Sequence, residues 1–190
     1  MSGFQDSLRE AAWVFEGLRE HESGLRIAAQ WCVEALVAEH KLLICGNGGS
    51  ASEAQHLAGE LMGRYKESRR PLAAIALGAD SAVLTCVSND FGYEEVFARQ
   101  VRGLATAGDV LIVFTTSGNS PNVLAALRAA REMDIRSIAF LGSDGAQAKS
   151  LADCSLIVRH KNTARAQEGH QFLMHCLMDQ IELGVAAAVL

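Results

Sequence analysis

Over residues 4–40 apolar side chains recur at mostly helical spacing: Leu8, Ala11, Ala12, Phe15 and Leu18, then Ile27, Trp31, Val33, Leu36 and Val37. Ser23 and Gly24 interrupt this pattern, which predicts two helices joined by a short turn at that point. Beyond His40 the period changes. Short apolar runs at 41–45, 72–77, 110–115, 137–141 and 155–159 alternate with amphipathic stretches. Five strands interleaved with helices predict an α/β domain whose parallel sheet is covered on both faces. A helical hairpin precedes the sheet and a long helix follows it. No repeat, low-complexity tract or linker divides the chain, so residues 1–190 read as one domain.

Composition narrows the classes. Apolar residues make up 49% and charged residues 21%, ordinary globular usage that sets disorder and coiled coils aside. With 17 Lys and Arg against 22 Asp and Glu the net charge is −5, the wrong sign for a domain held to nucleic acid by phosphate neutralisation. The five cysteines, Cys32, Cys45, Cys86, Cys154 and Cys176, are widely spaced and form no C-x-x-C pair, as expected of reduced core thiols in the cytoplasm. Asp6, Arg9 and Glu10 break up any apolar segment after Met1, and no run of 18 apolar residues occurs, so neither secretion nor a membrane is expected.

Two strand-to-helix junctions carry the candidate chemistry. The first apolar run ends in Gly46-Asn47-Gly48-Gly49-Ser50 and the third in Thr115-Thr116-Ser117-Gly118-Asn119-Ser120-Pro121. Both fall at the carboxyl ends of strands, where open α/β sheets bind ligands. The second junction places hydroxyls before a helix with Ser120 as N-cap and Pro121 at its first position. Free backbone N–H groups and the helix dipole there suit a phosphate, although a simply capped helix has the same pattern. The first junction has Ala51 where a dinucleotide fingerprint needs glycine, which disfavours a nicotinamide cofactor. It suits either close approach to a small ligand, with Asn47 bonding a hydroxyl, or a tight turn.

Three further groups stand out. His56 and Glu60 are four residues apart and share a helix face, as a metal-binding pair or a solvated contact would. In the last helix Gln167, Gln171 and His175 form a polar stripe in apolar surroundings, with His170 beside it. Gln167 and His175 are about 12 Å apart along a regular helix, so one ion reaches both only if the helix is distorted or different subunits contribute. Asn89-Asp90-Phe91-Gly92 follows the second strand and reads as the start of a further helix, with Asp90 either a cap or an acceptor for sugar hydroxyls.

Taken together and in order, these motifs resemble the sugar isomerase (SIS) superfamily. The likeness is specifically to its branch that interconverts a seven-carbon ketose phosphate and its aldose, and it spans nearly the whole chain. The resemblance implies a flavodoxin-like five-stranded sheet and a homotetramer with active sites composed between subunits. The implied activity is isomerisation of D-sedoheptulose 7-phosphate to D-glycero-D-manno-heptose 7-phosphate, a lipopolysaccharide precursor. It implies one zinc ion per subunit, held by His56, Glu60, Gln167 and His175, with Glu60 and His175 also the catalytic pair. Substrate and phosphate positions fall on Asn47, Gly48, Gly49, Glu60, Asn89, Asp90, Thr115, Thr116, Ser117, Ser120 and Gln167. The family often has serine where Thr115 stands, which keeps the hydroxyl and lacks its methyl. A second reading is a non-catalytic SIS relative of the type that links copies of the replication initiator DnaA. Such relatives are expected to lack the acid and imidazole matching Glu60 and His175, and this chain has both.

Overall fold

The computed structural model describes residues 3–188; the end positions 1, 2, 189 and 190 of the single-domain assignment lie outside the described residues. Helix α1 (Phe4–Gly17) runs through a 3-10 turn at Leu18–His21 into α2 (Glu22–Val37). The break therefore falls before Ser23 and Gly24, not at them, and both residues lie in the first turn of α2. Gly24 has a packing role: a Cβ there would stand 3.1 Å from Leu156 Cδ2 on the sheet.

Strands β1 (Leu42–Gly46), β2 (Ala74–Ala76), β3 (Val110–Thr115), β4 (Arg136–Gly142) and β5 (Cys154–Val158) form one parallel sheet in the order β2-β1-β3-β4-β5. Between them lie α3 (Gly49–Met62), α4 (Ser81–Phe91), a 3-10 turn at Tyr93–Glu95, α5 (Ala98–Leu104), α6 (Pro121–Glu132) and α7 (Ala146–Leu151); α8 (Thr163–Ala188) closes the chain. The second apolar run, 72–77, yields only three strand residues, at the sheet edge.

Alternation along the strands divides the core. Leu42, Ile44, Ile112, Phe114, Ile138 and Phe140 face α1, α2, α3 and α8. Leu43, Cys45, Leu111, Val113, Ala139 and Leu141 face α5, α6 and α7. Phe114 and Phe140 pair in register and stack at 4.6 Å, a geometry worth about 0.5–1.5 kcal/mol beyond the area they bury. Below the sheet, the buried Asp109 carboxylate accepts from Lys41 N (3.0 Å), Lys41 Nζ (2.6 Å) and Thr106 N (2.7 Å), tying β1 to the entrance of β3. Burial alone would push that carboxyl up, but these hydrogen bonds outweigh it and hold Asp109 below the usual carboxylate range.

Asn89, Asp90 and Phe91 end α4 and do not begin a helix. Gly92 follows in a left-handed conformation (φ 89°), and the N-cap of α4 is Asp80, whose carboxylate accepts from Ala82 N and Val83 N. The cysteines divide: Cys32, Cys45 and Cys154 are buried, Cys176 is half-buried and Cys86 is exposed on α4, so the core assignment fails for Cys86. Among the described residues no helix is long and apolar enough to cross a membrane.

Candidate active site

Because the chain leaves β1 toward β2 on one side and reaches β3 on the other, a crevice opens above the carboxyl ends of β1 and β3. The two glycine-rich junctions line it. Gly48 stands at φ 57°, turning the β1 loop into α3 with bare backbone toward the crevice. At Gly49 a side chain would meet the amide end of Gln167, which reaches from α8 over the loop. Gly118 needs both freedoms: its φ is 64°, and a Cβ would collide with the Gly145 carbonyl of the neighbouring loop. The resulting cleft, about 270 Å³, is lined by Asn47, Gly48, Gly49, Thr115, Thr116, Ser117, Ser120, Thr163 and Gln167.

The hydroxyls have different duties. Thr115 is buried, and its Oγ1 accepts from Gly118 N (3.2 Å), holding the loop in shape. Ser117 Oγ accepts from Asn119 N and lies 3.4 Å from Ser120 Oγ. Ser120 takes the N-cap position of α6 with Pro121 behind it, yet its side chain caps no backbone N–H of the helix. Hydroxyls and the α6 amino end thus stand at the cleft wall, a donor array suited to an anion.

Gly49 and Gln167 also border a second opening of about 620 Å³, which Ser52, Glu53, His56, Glu168 and Gln171 complete. His56 Nε2 is 3.1 Å from Glu60 Oε1, and Gln171 Nε2 is 3.1 Å from His56 Nδ1. The His56 and His175 rings meet edge to face at 5.2 Å, and Tyr65 stacks on His175 at 5.8 Å. Burial and the nearby His56 push the His175 imidazole below its ordinary value, against the pull of Glu60 and Asp179, which favours the neutral ring.

His56, Glu60 and His175 are therefore neighbours. The amide that touches His56 is Gln171; Gln167 lies one turn away against Gly49. Helix α8 is unbroken from Thr163 to Ala188, so the axial separation of Gln167 from His175 stands. Among the described residues no three His, Cys, Asp or Glu side chains are grouped as a metal site. Asn89 and Asp90 are exposed at the end of α4, bonded to each other (2.8 Å), and line neither opening.

Sequence reasoning missed Asn122, Tyr93 and Tyr65. Asn122 is buried and exchanges hydrogen bonds with the Asn47 amide, and Tyr93 Oη donates to Asn47 Oδ1 (3.0 Å). Asn122 directly follows Pro121, so its place beside the phosphate-loop motif was the available signal.

A parallel sheet of this order with a hydroxyl-lined cleft beside a helix amino end at its switch point defines an α/β protein suited to an anionic ligand. Residues 8–142 match the model of the SIS domain family. The phosphoheptose isomerase of a Nitratiruptor species is 48% identical over 169 residues, 89% of each chain. Among solved structures, the phosphoheptose isomerase of Neisseria gonorrhoeae is 40% identical with a TM-score of 0.87, over 93% of this chain and 95% of that one. That of Francisella tularensis is 33% identical with a TM-score of 0.89, over 96% and 100%. The chain belongs to the SIS domain family, in its phosphoheptose isomerase branch.

Proposed function

We propose that the chain isomerises sedoheptulose 7-phosphate to D-glycero-D-manno-heptose 7-phosphate, an aldose–ketose interconversion at the carboxyl edge of the sheet. The observation that carries this reading is the junction of an anion-binding loop with a carboxylate–imidazole cluster, in a chain similar to phosphoheptose isomerases over most of its length. In this reading the phosphate sits against Ser117, Ser120 and the amino end of α6, with Thr115 and Thr116 shaping the pocket. Asn47, Gly48, Gly49 and Gln167 border the sugar chain.

The Glu60 carboxylate removes a proton from C1 of the ketose, giving an enediol, and returns a proton to C2. His175 passes the hydroxyl proton between O1 and O2. As a neutral imidazole it does so by donating at one oxygen and accepting at the other, as its lowered pKa favours. The phosphate acts as a remote handle whose binding orients C1 toward Glu60.

The donor chemistry of the cluster suits zinc: two imidazoles, one of them held neutral, beside a carboxylate. His56, Glu60 and His175 would hold the ion, with Gln167, kept a turn away by the unbroken α8, joining only from another subunit; the ion would supply polarisation of the carbonyl and stabilisation of enediolate charge. With its amide turned over, Gln171 accepts from His56 Nδ1–H and leaves Nε2 free for a metal, the usual outer partner of a ligating imidazole. The exposed Phe4, Leu8, Trp13 and Leu183 suit self-association, which the proposed homotetramer with composite sites would use. Five free cysteines suit a cytoplasmic enzyme.

Proton NMR of the protein with sedoheptulose 7-phosphate, before and after chelation and zinc restoration, tests the reading. Appearance of the aldoheptose phosphate that chelation stops and zinc restores is expected; folded protein without turnover under any metal condition overturns it.

A further inference from the structure

The segment leaving α3 is fastened to α8 by side chains that the isomerisation chemistry does not use. Helix α3 ends at Met62, with Gly63 N donating to Gly59 O (2.8 Å). The carbonyls of Glu60 and Leu61 are then among the acceptors that a helix end leaves without helical partners. Arg69 reaches both: Nη2 donates to Glu60 O (2.8 Å) and Nη1 to Leu61 O (2.9 Å), the latter also accepting from Leu72 N (3.0 Å). Its Nε donates to Glu182 Oε1 on α8 (3.1 Å), and the two side chains are only 11% and 7% exposed. The second Glu182 oxygen accepts from Lys66 N (3.2 Å) and Glu67 N (3.3 Å). One turn earlier on α8, Asp179 pairs with Lys66.

Glu182 lies seven residues beyond His175, two turns along the same face of α8. Glu60 and His175 come from different helices, and this nearly buried ion pair links the loop that follows α3 to α8. The same loop also supplies Tyr65, which stacks on His175 with an interplanar angle of 15°.

We propose that Arg69 and Glu182 are positioning residues for the isomerisation, fixing the last turn of α3, and with it the Glu60 carboxylate, relative to His175. The inference rests on the reading of Glu60 and His175 as the reacting pair. A planar guanidinium is needed because three donors must point at once toward two carbonyls and a carboxylate, which an ammonium on a flexible stem does not match. Misplacing a reacting group by about 1 Å costs on the order of a hundredfold in rate, so loosening this brace acts on turnover.

The test is steady-state kinetics of the full-length protein with sedoheptulose 7-phosphate for Arg69→Lys, Glu182→Gln, the double variant and Glu60→Gln. Each is assayed well below its melting temperature, with assembly checked by gel filtration. The expected result for Arg69→Lys and Glu182→Gln is a kcat lower by roughly ten- to a hundredfold with KM within about twofold. The double variant is expected to lose less than the product of the two single losses, because the residues form one device. Glu182→Asp, which keeps the charge and shortens the side chain, is expected to fall between and serves if Glu182→Gln does not fold. A kcat within about twofold of wild type in the folded variants, or a loss carried by KM, overturns the proposal. Full activity in Glu60→Gln removes the underlying reading instead; an inactive Glu60→Gln beside fully active Arg69→Lys and Glu182→Gln removes only the positioning role.

Discussion

Asn47 and Asn122 exchange two side-chain hydrogen bonds of 2.8 Å each, joining the loop after β1 to the first turn of α6 beneath the anion cleft. Asn122 Oδ1 also accepts from Val123 N, and Tyr93 adds a third contact to Asn47. The two halves of the cleft are thus locked to one another before a ligand arrives.

Replacing Asn122 by alanine leaves the Asn47 Nδ2 without its protein acceptor at a half-buried position, while Tyr93 still reaches Asn47 Oδ1, at a cost of about 1 kcal/mol. The expected outcome is a lower denaturant midpoint and a KM for the sugar phosphate raised about tenfold. Equilibrium unfolding and initial rates check both.

Thr115 separates the hydroxyl's role from the methyl's. Thr115→Val keeps the shape but removes the acceptor of Gly118 N, and is expected to weaken inhibition by inorganic phosphate about tenfold, or about 1.4 kcal/mol. Thr115→Ser keeps the acceptor and is expected to bind phosphate as the parent does. Phosphate inhibition constants measured for the two variants decide the matter.

The fastening of β1 to β3 through Asp109 is expected to show in the pH dependence of stability. Its carboxyl is held below the ordinary range in the folded protein, so the folded state binds fewer protons than the unfolded chain as that carboxyl titrates. The stabilisation is complete above the unfolded value of about 4 and is lost as the pH falls through the folded value. Asp109→Asn is expected to cost about 2–3 kcal/mol at pH 7, with a gap to wild type that narrows in acid. Urea unfolding of both proteins at pH 7 and below pH 4 measures it.

Burial pushes the Cys32 and Cys45 thiols well above the ordinary range, so neither forms thiolate at pH 8. A soluble maleimide is expected to spare both in the folded protein and to modify them only in guanidinium, as read by mass spectrometry of the digest.

Much of the fold was legible because the strands of a parallel sheet are buried on both faces and read as unbroken apolar runs. Val110-Leu111-Ile112-Val113-Phe114 is the plainest case, and all five residues are buried. The break between α1 and α2 was misplaced because Gly24 resembles punctuation, while its use is contact with Leu156, distant in sequence. Asn89 and Asp90 suit a helix start by sequence because capping chemistry fits either end of a short polar stretch; Gly92 at positive φ marks the end. The anion loop was readable because its donors are consecutive. The partnerships of Gln171 with His56 and of Arg69 with Glu182 join residues 115 and 113 positions apart, and local spacing carries no trace of them.

The central claim is that Glu60 moves the proton between C1 and C2. Its most direct test is NMR detection of solvent deuterium entering those carbons when wild type and Glu60→Gln are incubated with sedoheptulose 7-phosphate in D2O. Deuterium is expected at C2 of the aldose with wild type and not with the variant, although the variant stays folded and still binds phosphate. Deuterium entering at the wild-type rate in Glu60→Gln would contradict it.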